Sequence, residues 1–502
     1  MSEVQQAQQS LWRWMMQSPW ERMGKGLLLP IAALGVLIGF LLVNVGERAE
    51  HVYYCTDTHR TVSRRAYERD DTGTIEKRVR VVYWEKWAGF EGEAIDKTVA
   101  YFNRTNDQKI YVDITRIGDI TDKIRTATAG GNPPDLAGLH WIDIPVFAAQ
   151  NALIPLDDMM DEAGIGPHTY IDAYYRLGVY RDKVWALPTT PSTWALHWNK
   201  NLFREAGLDP EQPPRSLAEL EEFARDLTKV DEDGNIVQVG FLPTEPGWWK
   251  YSWGYWFGGR LWDGEGNITA NSPENLEAMR WIRRFADGEV YEGLGYRELD
   301  AFKGTFGEFA SSGNAFFDGR VAMVRQGVWM AKFIEMFAPD DFEFGVAPFP
   351  SREPGLHETH NAVTIGEADM IGIPQGARRP REAFEFIKFL ATPEGMEILC
   401  GGHAKNSPLV ETSDGWIEDH PNPYIDVFTE LAESSRCYRT PPLGIWQEYN
   451  AAWARTFDDI WTRRRAPEDA LDRLQAEMQR RLDHELERKR ARGLELGAGD
   501  NR

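Results

Sequence analysis

The N-terminal part of the chain alternates short apolar runs with amphipathic segments. Residues 78–84 alternate apolar and polar side chains as a strand does, and residues 92–106 repeat apolar side chains at helical spacing. A strand at residues 110–117, a helix at residues 120–129 and a short strand at residues 133–139 follow. Because strands that alternate with helices pair through crossover connections, this order predicts a parallel sheet.

The same alternation returns in the C-terminal third, after a middle region with a different pattern. The change comes after residues 185–188, where a tryptophan-rich region with its own helices begins. A strand is predicted at residues 370–374 and a helix at residues 380–390. Further helices are predicted at residues 447–461 and 467–486. Two α/β lobes joined by more than one crossover fit this order better than domains arranged in series.

Residues 316–329, FFDGRVAMVRQGVW, combine a buried strand with a glycine and a tryptophan. Asp318-Gly319 is a turn signal, and residues 320–324 form a short apolar run of strand length. Gly327 is predicted to break the strand before Trp329 starts a helix. Ligands of open α/β sheets lie beyond the carboxyl ends of strands, so Trp329 is a candidate for ligand stacking. The alternative is that its ring only fills a core.

The uncharged run at residues 27–45 is long enough to span a bilayer. Basic residues precede it, so the positive-inside rule predicts a cytoplasmic segment at residues 1–26 and a charged spacer outside at residues 46–77. The run is longer than the apolar part of a usual signal peptide, and no small-residue cleavage pattern follows. Bulky tyrosines before Cys55 disfavour a lipoprotein. We therefore predict a single-pass signal anchor in the cell membrane, with a cleaved signal peptide as the alternative.

Length, charge and composition narrow the classes of protein and partner. A chain of 502 residues is expected to form about two or three domains. Its 78 acidic and 56 basic side chains give a net charge of −22. Nucleic acid and anionic lipid need a basic surface, so neither is expected as a partner. A tryptophan is rarely fully buried, so many of the 20 tryptophans are expected in clefts or on surfaces.

The three cysteines leave two interpretations open. Disulfides form in exported chains, which makes Cys400 and Cys437 a plausible pair, and buried free thiols are the alternative. No spacing of cysteine, histidine and acidic residues is typical of a metal site. Neither a metal nor a cofactor is therefore expected.

Four sequence blocks occur in one order between residues 79 and 490. In this order they resemble the family-1 extracellular solute-binding proteins of ABC importers, the maltose-binding-protein type. Each block alone is a weak signal, and the order makes the resemblance specific. The blocks are Pro134-Asp135-Leu136 with residues 151–157, Ala186-Leu187-Pro188 with residues 199–203 and 206–208, residues 316–329, and residues 383–390 with Pro393-Glu394-Gly395.

The resemblance implies an α/β, two-lobed periplasmic-binding-protein-like fold with several crossovers between the lobes and a ligand enclosed between them. Closure of such lobes is a hinge motion driven by contacts that the ligand makes in the closed state. The implied boundaries are residues 78–185 and 351–408 for lobe 1, residues 186–350 and 409–490 for lobe 2 with the closing helices, and residues 491–502 for a tail.

The resemblance also implies a set of ligand-binding residues. Trp329 matches a cleft tryptophan that stacks on a sugar ring, and Glu245 resembles the glutamate of a cleft Glu-Pro pair. Ser192 stands where maltose binders carry an acid, which argues against a maltodextrin ligand. The other candidates are Trp84, Glu85, Trp87, Trp141, Asp143, Trp248, Trp249 and Trp446.

A sugar fits this mixture because its apolar faces pack on aromatic rings and its hydroxyls bind carboxylates. For each tryptophan the alternative role is lobe core, and for each carboxylate it is a solvated surface or a helix cap.

The favoured function is capture of a sugar in the interlobe cleft and delivery to ABC permease subunits, without catalysis. One alternative is a glycoside hydrolase that uses Glu85 and Glu245 as its paired carboxylates. Its support is weak because the chain lacks a nucleophile motif. A sugar-sensing ectodomain is a third possibility, but the segment before residue 27 is too short for an output domain. No stable homo-oligomer is expected. Sugar, sugar acid, polyol and sugar phosphate stay open as ligands, with phosphate disfavoured by the acidic balance.

Overall fold

The computed structural model describes residues 51–55, 60–62, 75–352 and 361–491. The predicted cytoplasmic segment and membrane anchor, most of the spacer, and residues 492–502 of the tail lie outside these residues. Among the helices within the described ranges, none combines the length and apolar character that crossing a membrane requires.

Strands are distributed along the whole described chain. They are β1 His51–Cys55, β2 Arg60–Val62, β3 Ile75–Glu85, β4 Ile110–Arg116, β5 Leu136–His140, β6 Val179–Tyr180, β7 Lys183–Val184, β8 Ala186–Asn199, β9 Lys229–Val230, β10 Ile236–Phe241, β11 Val321–Gly327, β12 Phe344–Ala347, β13 Thr364–Gly372 and β14 Cys437–Tyr438.

Helices separate most of these strands. They are α1 Gly89–Thr105, α2 Ile120–Ala129, α3 Ile144–Ala149, α4 Asp157–Ala163, α5 Asp172–Tyr175, α6 Lys200–Glu205, α7 Leu217–Asp226, α8 Pro273–Ala286, α9 Tyr296–Lys303, α10 Met330–Phe337, α11 Pro380–Leu390, α12 Pro393–His403, α13 Ile425–Glu433, α14 Trp446–Trp461 and α15 Pro467–Ala491. Two 3₁₀ segments, Trp141–Asp143 and Lys250–Phe257, bear on the site.

The described chain divides into two compact units. The first contains the described residues up to Arg80 together with Asp107–Tyr111. In it β1 pairs antiparallel with β2 and with the first half of β3. The second unit contains Val81–Asn106 and the chain from Val112 onward, and it holds both lobes.

A mixed sheet runs through the second unit in the order β3-β5-β13-β8-β11-β10-β9. The pairs β3–β5 and β10–β11 are parallel, whereas β13 is antiparallel to both β5 and β8. The predicted parallel pairing is therefore confirmed for β3 and β5, but the sheet as a whole is mixed. The first half of β8 pairs with β13 and its second half with β11 and β12, so β8 runs from one lobe into the other. Because β8 connects the two lobes, its direction is not set by a local strand–helix–strand unit, and it runs antiparallel to β13 and β11.

Two hydrophobic cores mark the two lobes. Ile124, Leu139 and Phe147 are fully enclosed in the lobe 1 core around β5. The larger lobe 2 core contains Trp194 and Trp253 and receives one face of α14 and of α15. These apolar side chains recur at helical spacing along α14 and α15, which is why the sequence pattern predicts both helices.

Most predicted elements of lobe 1 are confirmed, but β13 begins at Thr364 instead of residue 370, and in lobe 2 the end of β11 also differs from the prediction. The helix at Pro380–Leu390 has the predicted ends. In contrast β11 continues through Gly327, because Gln326 and Gly327 pair with Ala195 and Trp194 of β8. The glycine therefore lies within the sheet instead of breaking the strand.

The disulfide interpretation is also wrong, since both cysteines are free thiols. Cys400 lies on α12, where its Sγ donates to the carbonyl of Thr189 at 3.5 Å. Cys437 lies on β14, and its Sγ occupies the space beside Gly366 that a side chain there would need. Burial raises the pKa of both thiols, that of Cys437 to about 12. Both cysteines therefore stay protonated near neutral pH.

Candidate functional site

Polar side chains line the place where β8 and β13 cross between the lobes. Glu367 and Asp369 alternate along β13 and thus point to one face of the strand. Ser192 of β8 lies directly opposite Glu367, and Thr190 donates its hydroxyl to Asp369 at 2.8 Å. We call Glu367, Asp369, Ser192 and Thr190 the polar stripe.

A lysine from the end of β3 neutralises one side of this stripe. Lys86 Nζ lies 3.1 Å from Asp369 Oδ1 and 3.5 Å from Glu85 Oε1. All three side chains are nearly enclosed. Although burial opposes ionisation, Lys86 holds the pKa of Asp369 below its usual value. Burial likewise disfavours the charged lysine, yet Asp369 and Glu85 raise the pKa of Lys86. The group is therefore a fixed ion pair at neutral pH.

Trp87 sits between two lysines on the lobe 1 side. The ring centroid lies 4.8 Å from Lys86 Nζ and 5.1 Å from Lys405 Nζ. Lys405 is itself paired with Glu91 Oε1 at 3.2 Å. Cations over an indole face orient the ring by electrostatic attraction. Trp87 is thus held in place while part of it stays exposed.

The 3₁₀ segment Trp141–Asp143 follows β5 and brings two candidates to the same edge. Asp143 is buried, and its carboxylate accepts from Thr121 at 2.7 Å and from Gln447 at 3.1 Å. Burial raises the pKa of Asp143. Nε1 of Trp141 is buried without a hydrogen-bond partner. Asp143 is therefore satisfied within the protein, whereas Nε1 of Trp141 makes no hydrogen bond of regular geometry.

Glu367 receives one hydrogen bond from lobe 2. The hydroxyl of Tyr251 donates to Glu367 Oε1 at 2.7 Å. Burial raises the pKa of Glu367 to about 8, and hydrogen bonding by Tyr251 and Trp141 lowers it only in part. Trp141 interacts with the same carboxyl group, although its Nε1 and Oε2 of Glu367 do not reach a regular hydrogen-bond geometry. The carboxyl group thus has one oxygen in a regular hydrogen bond and a looser contact with Trp141.

The lobe 2 side of the site is aromatic instead of charged. Trp249 packs against Trp194 at 4.0 Å, Trp248 at 5.2 Å and Trp329 at 5.6 Å between ring centroids. We call these four residues the tryptophan row. Trp248 is 47% exposed, while Trp194 is fully buried at the base of the row. Solvent exposure therefore increases along the row, from the core residue Trp194 to the surface residue Trp248.

Two neighbours hold the row in position. Any side chain at Gly327 would collide with the ring of Trp329, so the glycine is what allows this ring to lie against β11. Arg325 is buried, and its guanidinium lies 3.8 Å from the ring of Trp253 and 4.5 Å from that of Trp256. Burial lowers the pKa of Arg325 to about 9. Arg325 is therefore enclosed by rings below the row.

The lobes touch through aromatic rings beside the row. Phe90, at the start of α1, packs edge-to-face on Phe333 of α10 at 5.5 Å. Phe333 continues to Phe309 at 5.0 Å, and Phe309 to Trp248 at 4.8 Å. The tryptophan row is therefore linked to Phe90 of lobe 1 through these rings.

The remaining sequence candidates lie at the margins of this arrangement. Trp84 packs against the lobe 1 core, and Trp446 is 2% exposed with its ring on Tyr251. Glu85 is enclosed by Tyr83 and Lys86. Glu245 pairs with Lys303 at 3.4 Å, and burial raises its pKa despite this partner.

The sequence interpretation missed several residues of the site: Lys86, Tyr251, Glu367, Asp369 and Lys405. For Glu367 and Asp369 a signal existed, because they alternate with apolar residues in one run. Over the part of the chain described here, no cluster of three histidine, cysteine or acidic side chains has the arrangement of a metal site.

Known proteins resemble the chain over most of its length. It is 25% identical over 445 residues to the sn-glycerol-3-phosphate-binding periplasmic protein UgpB of Escherichia coli strain K12, which covers 82% of this chain and 95% of that protein. The structure of CpMnBP1 with mannotriose bound is 28% identical, has a TM-score of 0.66, and matches 80% of this chain and 100% of that one.

A second solved structure shares the fold. The cyclic alpha-maltosyl-1,6-maltose binding protein from Arthrobacter globiformis is 21% identical, with a TM-score of 0.66, and matches 81% of this chain and 100% of that one. The two-lobed α/β fold is thus confirmed. A family model described as bacterial extracellular solute-binding protein matches residues 88–397, more than half of the chain. The relatives are binding proteins, not enzymes. The chain therefore belongs to the bacterial extracellular solute-binding protein family and captures a solute outside the cytoplasm.

Proposed function

We propose that the chain binds a neutral carbohydrate between its lobes and delivers it to the permease of an ABC importer. The observation that carries this proposal is that the tryptophan row adjoins the polar stripe on β8, where Nε1 of Trp194 donates to Ser192 at 3.4 Å. Ring faces pack on the apolar faces of a sugar, and fixed polar groups bind its hydroxyls. Two such surfaces that adjoin each other suit a ligand with both characters.

The charges of the site favour a neutral ligand over a phosphorylated one. The names of the relatives include both kinds, a glycerol phosphate binder and oligosaccharide binders. A phosphate needs cations that are free to donate to it. Here Lys86 pairs with Asp369, Lys405 with Glu91, and Lys303 with Glu245.

Another cation near the site, Arg325, is stacked among tryptophan rings; its Nη1 has no hydrogen-bond partner, but the side chain is buried. Among the described residues at the site, each of these cations thus already has a carboxylate or a ring as its partner.

Within this proposal the predicted residues have different roles. Trp329, Trp248, Trp249 and Trp87 would offer ring faces to the sugar, and Ser192 and Glu245 would offer polar contacts. Trp141 would offer its indole N–H. Asp143, Glu85, Trp84 and Trp446 would support the site from behind, because their polar groups or rings are already engaged in the protein.

We also propose the lobe boundaries given by the sequence: residues 78–185 and 351–408 in lobe 1, and residues 186–350 and 409–490 in lobe 2. Ligand-driven closure would bend the chain where β8 and β13 cross. Residues 27–45 would anchor the protein in the membrane and residues 46–77 would hold the lobes away from it. Protease release from intact cells, followed by mass measurement of the membrane-bound remnant, tests this anchor. A remnant without residues 27–45 contradicts it.

Calorimetric titration of the full-length chain tests the ligand class. We expect binding of a neutral oligosaccharide such as mannotriose or maltotriose, with no product released on long incubation. Binding of sn-glycerol-3-phosphate with no binding of any sugar would overturn the proposal, and hydrolysis of a bound sugar would do the same.

Trp329→Ala is the matched test of the aromatic surface. Loss of a buried aromatic anchor should weaken sugar binding by roughly 1–3 kcal/mol. Trp185→Ala is the control, because Trp185 is also half-buried but packs on the lobe 1 core and donates to the carbonyl of Tyr180. The control should lower stability and leave affinity unchanged. Equal affinities for the two variants would show that Trp329 does not contact the ligand.

A further inference from the structure

A cavity opens between α14 and α15 in lobe 2. Its volume is about 360 Å³, and its lining includes no residue of the polar stripe or the tryptophan row. Pockets that bind small molecules have volumes of roughly 300–1,000 Å³. The cavity therefore has room for a small ligand that is separate from the one proposed for the space between the lobes.

The two helices that enclose the cavity form a hairpin. Only residues 462–466 connect Trp461, at the end of α14, with Pro467, at the start of α15. Two helices joined by so short a connection run antiparallel. Arg455 and Arg473 both line the cavity and lie at matching distances from this connection. The two guanidinium groups are therefore brought to the same level of the groove, one from each helix.

The cavity has an apolar floor and a cationic rim. Ala452, Ala470 and Leu474 form the floor and belong to the lobe 2 core. Arg455 and Arg473 lie at the rim and are exposed. An organic anion fits this arrangement better than a bare inorganic ion, because its carbon body can cover the apolar floor.

Two of the carboxylates that line the cavity are neutralised by neighbouring cations. Asp458 Oδ1 lies 2.6 Å from Nζ of Lys250. Asp459 is shared by two arginines, since its Oδ1 lies 2.9 Å from Nε of Arg464 and its Oδ2 lies 3.6 Å from Nε of Arg465. Neither aspartate therefore needs Arg455 or Arg473 as its partner.

Two guanidinium groups and one hydroxyl group of the lining are available to a ligand. Glu477, the third carboxylate of the lining, lies 3.5 Å from Nη2 of Arg481. Over the described ranges of the chain, the side chains of Arg455 and Arg473 form no ion pair or hydrogen bond, and the hydroxyl of Thr456 forms no hydrogen bond. The cavity thus presents an excess of unpaired donors.

We propose that this cavity binds a small organic molecule that carries a phosphate group. A guanidinium group binds phosphate through paired N–H donors, and a phosphate group offers three acceptor oxygens. Two guanidinium groups and the hydroxyl of Thr456 match three acceptors better than the two oxygens of a carboxylate. The phosphate lies between Arg455 and Arg473, and the carbon body lies on the apolar floor.

A phosphate group could also come from a lipid headgroup, and the charge of the chain favours a free molecule. The net charge of −22 repels an anionic bilayer from the protein as a whole. A small phosphate ester meets only the local charges of the cavity. This second site is independent of the proposed sugar site, where the cations are already paired.

Calorimetric titration of the full-length chain with glycerol 2-phosphate at constant ionic strength tests this site, with glycerol as the neutral control ligand. Arg455→Gln and Arg473→Gln each remove one cation of the rim. Arg480→Gln is the matched control, because Arg480 is an exposed arginine of α15 outside the cavity lining. Titration with mannotriose and maltotriose measures sugar binding, and thermal denaturation reports folding.

We expect the wild type to bind glycerol 2-phosphate and not glycerol. Arg455→Gln and Arg473→Gln should each weaken binding of the phosphate ester roughly 10-fold, since each removes a charge-assisted donor. Arg455→Lys should lie between the wild type and Arg455→Gln, because it keeps the charge and loses the paired donors. Arg480→Gln should bind within about twofold of the wild type. None of these variants should change sugar binding or the melting temperature.

Three results would overturn this assignment. The first is a wild type that does not bind glycerol 2-phosphate. The second is an equal affinity of Arg455→Gln, Arg473→Gln and Arg480→Gln, which would show that the anion responds to net charge alone. The third is binding of dihexanoyl phosphatidylglycerol, kept below its micelle concentration, without binding of glycerol 2-phosphate. Failure of the proposed function is seen separately, as a wild type that binds neither mannotriose nor maltotriose.

Discussion

The two sides of the site are built from different interactions. On the lobe 1 side, Lys86 and Asp369 form an enclosed ion pair, and Trp87 is oriented by two lysines. On the lobe 2 side, the tryptophan row packs ring against ring from the buried Trp194 to the exposed Trp248. One side is thus held by electrostatics and the other by packing.

Under the proposed function, this difference assigns separate tasks to the two sides. Aromatic faces attract any apolar surface of suitable shape, so the tryptophan row would contribute affinity with little discrimination. Groups with fixed hydrogen-bonding positions reject ligands that leave them unpaired, so the polar side would contribute selectivity. Because its charges are already paired, the polar side would select hydroxyl groups without attracting ions.

Removal of the base of the tryptophan row is expected to have the largest effect on stability. Trp194 is fully buried, so Trp194→Ala should lower the free energy of unfolding by about 3–5 kcal/mol. Urea denaturation of the two proteins measures the difference. A loss below about 1 kcal/mol would mean that the row is not an extension of the lobe 2 core.

Breaking the ion pair on the other side should cost nearly as much. Lys86→Met leaves Asp369 buried without its cation, and loss of one partner of a buried pair costs about 3 kcal/mol or more. Adding Asp369→Asn to this variant should recover part of the loss, because the uncompensated charge is then gone. Thermal and urea denaturation at low and high salt measure both steps.

Lys303→Met is the matched control for this pair. Lys303 bonds Glu245 across a similar distance, 3.4 Å, but its side chain is 30% exposed. Solvent screens such a pair, so the loss should stay below about 1 kcal/mol. Equal losses for Lys86→Met and Lys303→Met would show that burial does not distinguish the two pairs.

The sequence predicted the aromatic side of the site better than the polar side. Trp329 and its neighbours are recognisable because a strand, a glycine and a tryptophan follow one another in a short stretch of sequence. The strand at residues 370–374 was placed too late, since β13 begins at Thr364. That placement excluded Glu367 and Asp369, which resemble surface positions when the strand around them is not recognised.

Other parts of the site depend on distant pairing that no local pattern encodes. Tyr251 meets Glu367 only because the 3₁₀ segment Lys250–Phe257 reaches the crossing strands. The length of β8 also depends on distant pairing, because its two halves pair with different strands in the two lobes. Helix ends such as those of α11 were predictable because a proline starts the helix and apolar spacing fixes its length.

The protonation of Glu367 gives the polar side a pH signature that the aromatic side lacks. Burial raises the pKa of Glu367 to about 8, so between its ordinary value and pH 8 the folded state binds a proton that the unfolded state has lost. The contribution of Glu367 to the free energy of unfolding therefore falls as pH rises through this range. Relative to Glu367→Gln, the wild type should lose about 2 kcal/mol of unfolding free energy between pH 6 and pH 8.

The groups that face Glu367 do not contribute to this difference in pH dependence between the wild type and Glu367→Gln. Tyr251 has a pKa raised well above its usual value by burial, and Lys86 keeps the pKa of Asp369 low despite burial, so neither titrates between pH 6 and pH 8. Trp141 does not ionise. A difference between the two proteins that is constant over this range would contradict a protonated Glu367.

The smallest stability effect is expected at the exposed end of the tryptophan row. Trp248→Ala removes a ring that is 47% exposed and packs on Trp249 and Phe309, so the free energy of unfolding should change by less than about 1 kcal/mol. Sugar affinity should nevertheless fall about fivefold, because the exposed face is free for the ligand.

Val410→Ala, at another exposed apolar residue, is the control and should change neither quantity. If Trp248→Ala lowers stability without changing affinity, the row ends at Trp249. The aromatic side would then differ from the polar side in packing alone, and not in how it meets the ligand.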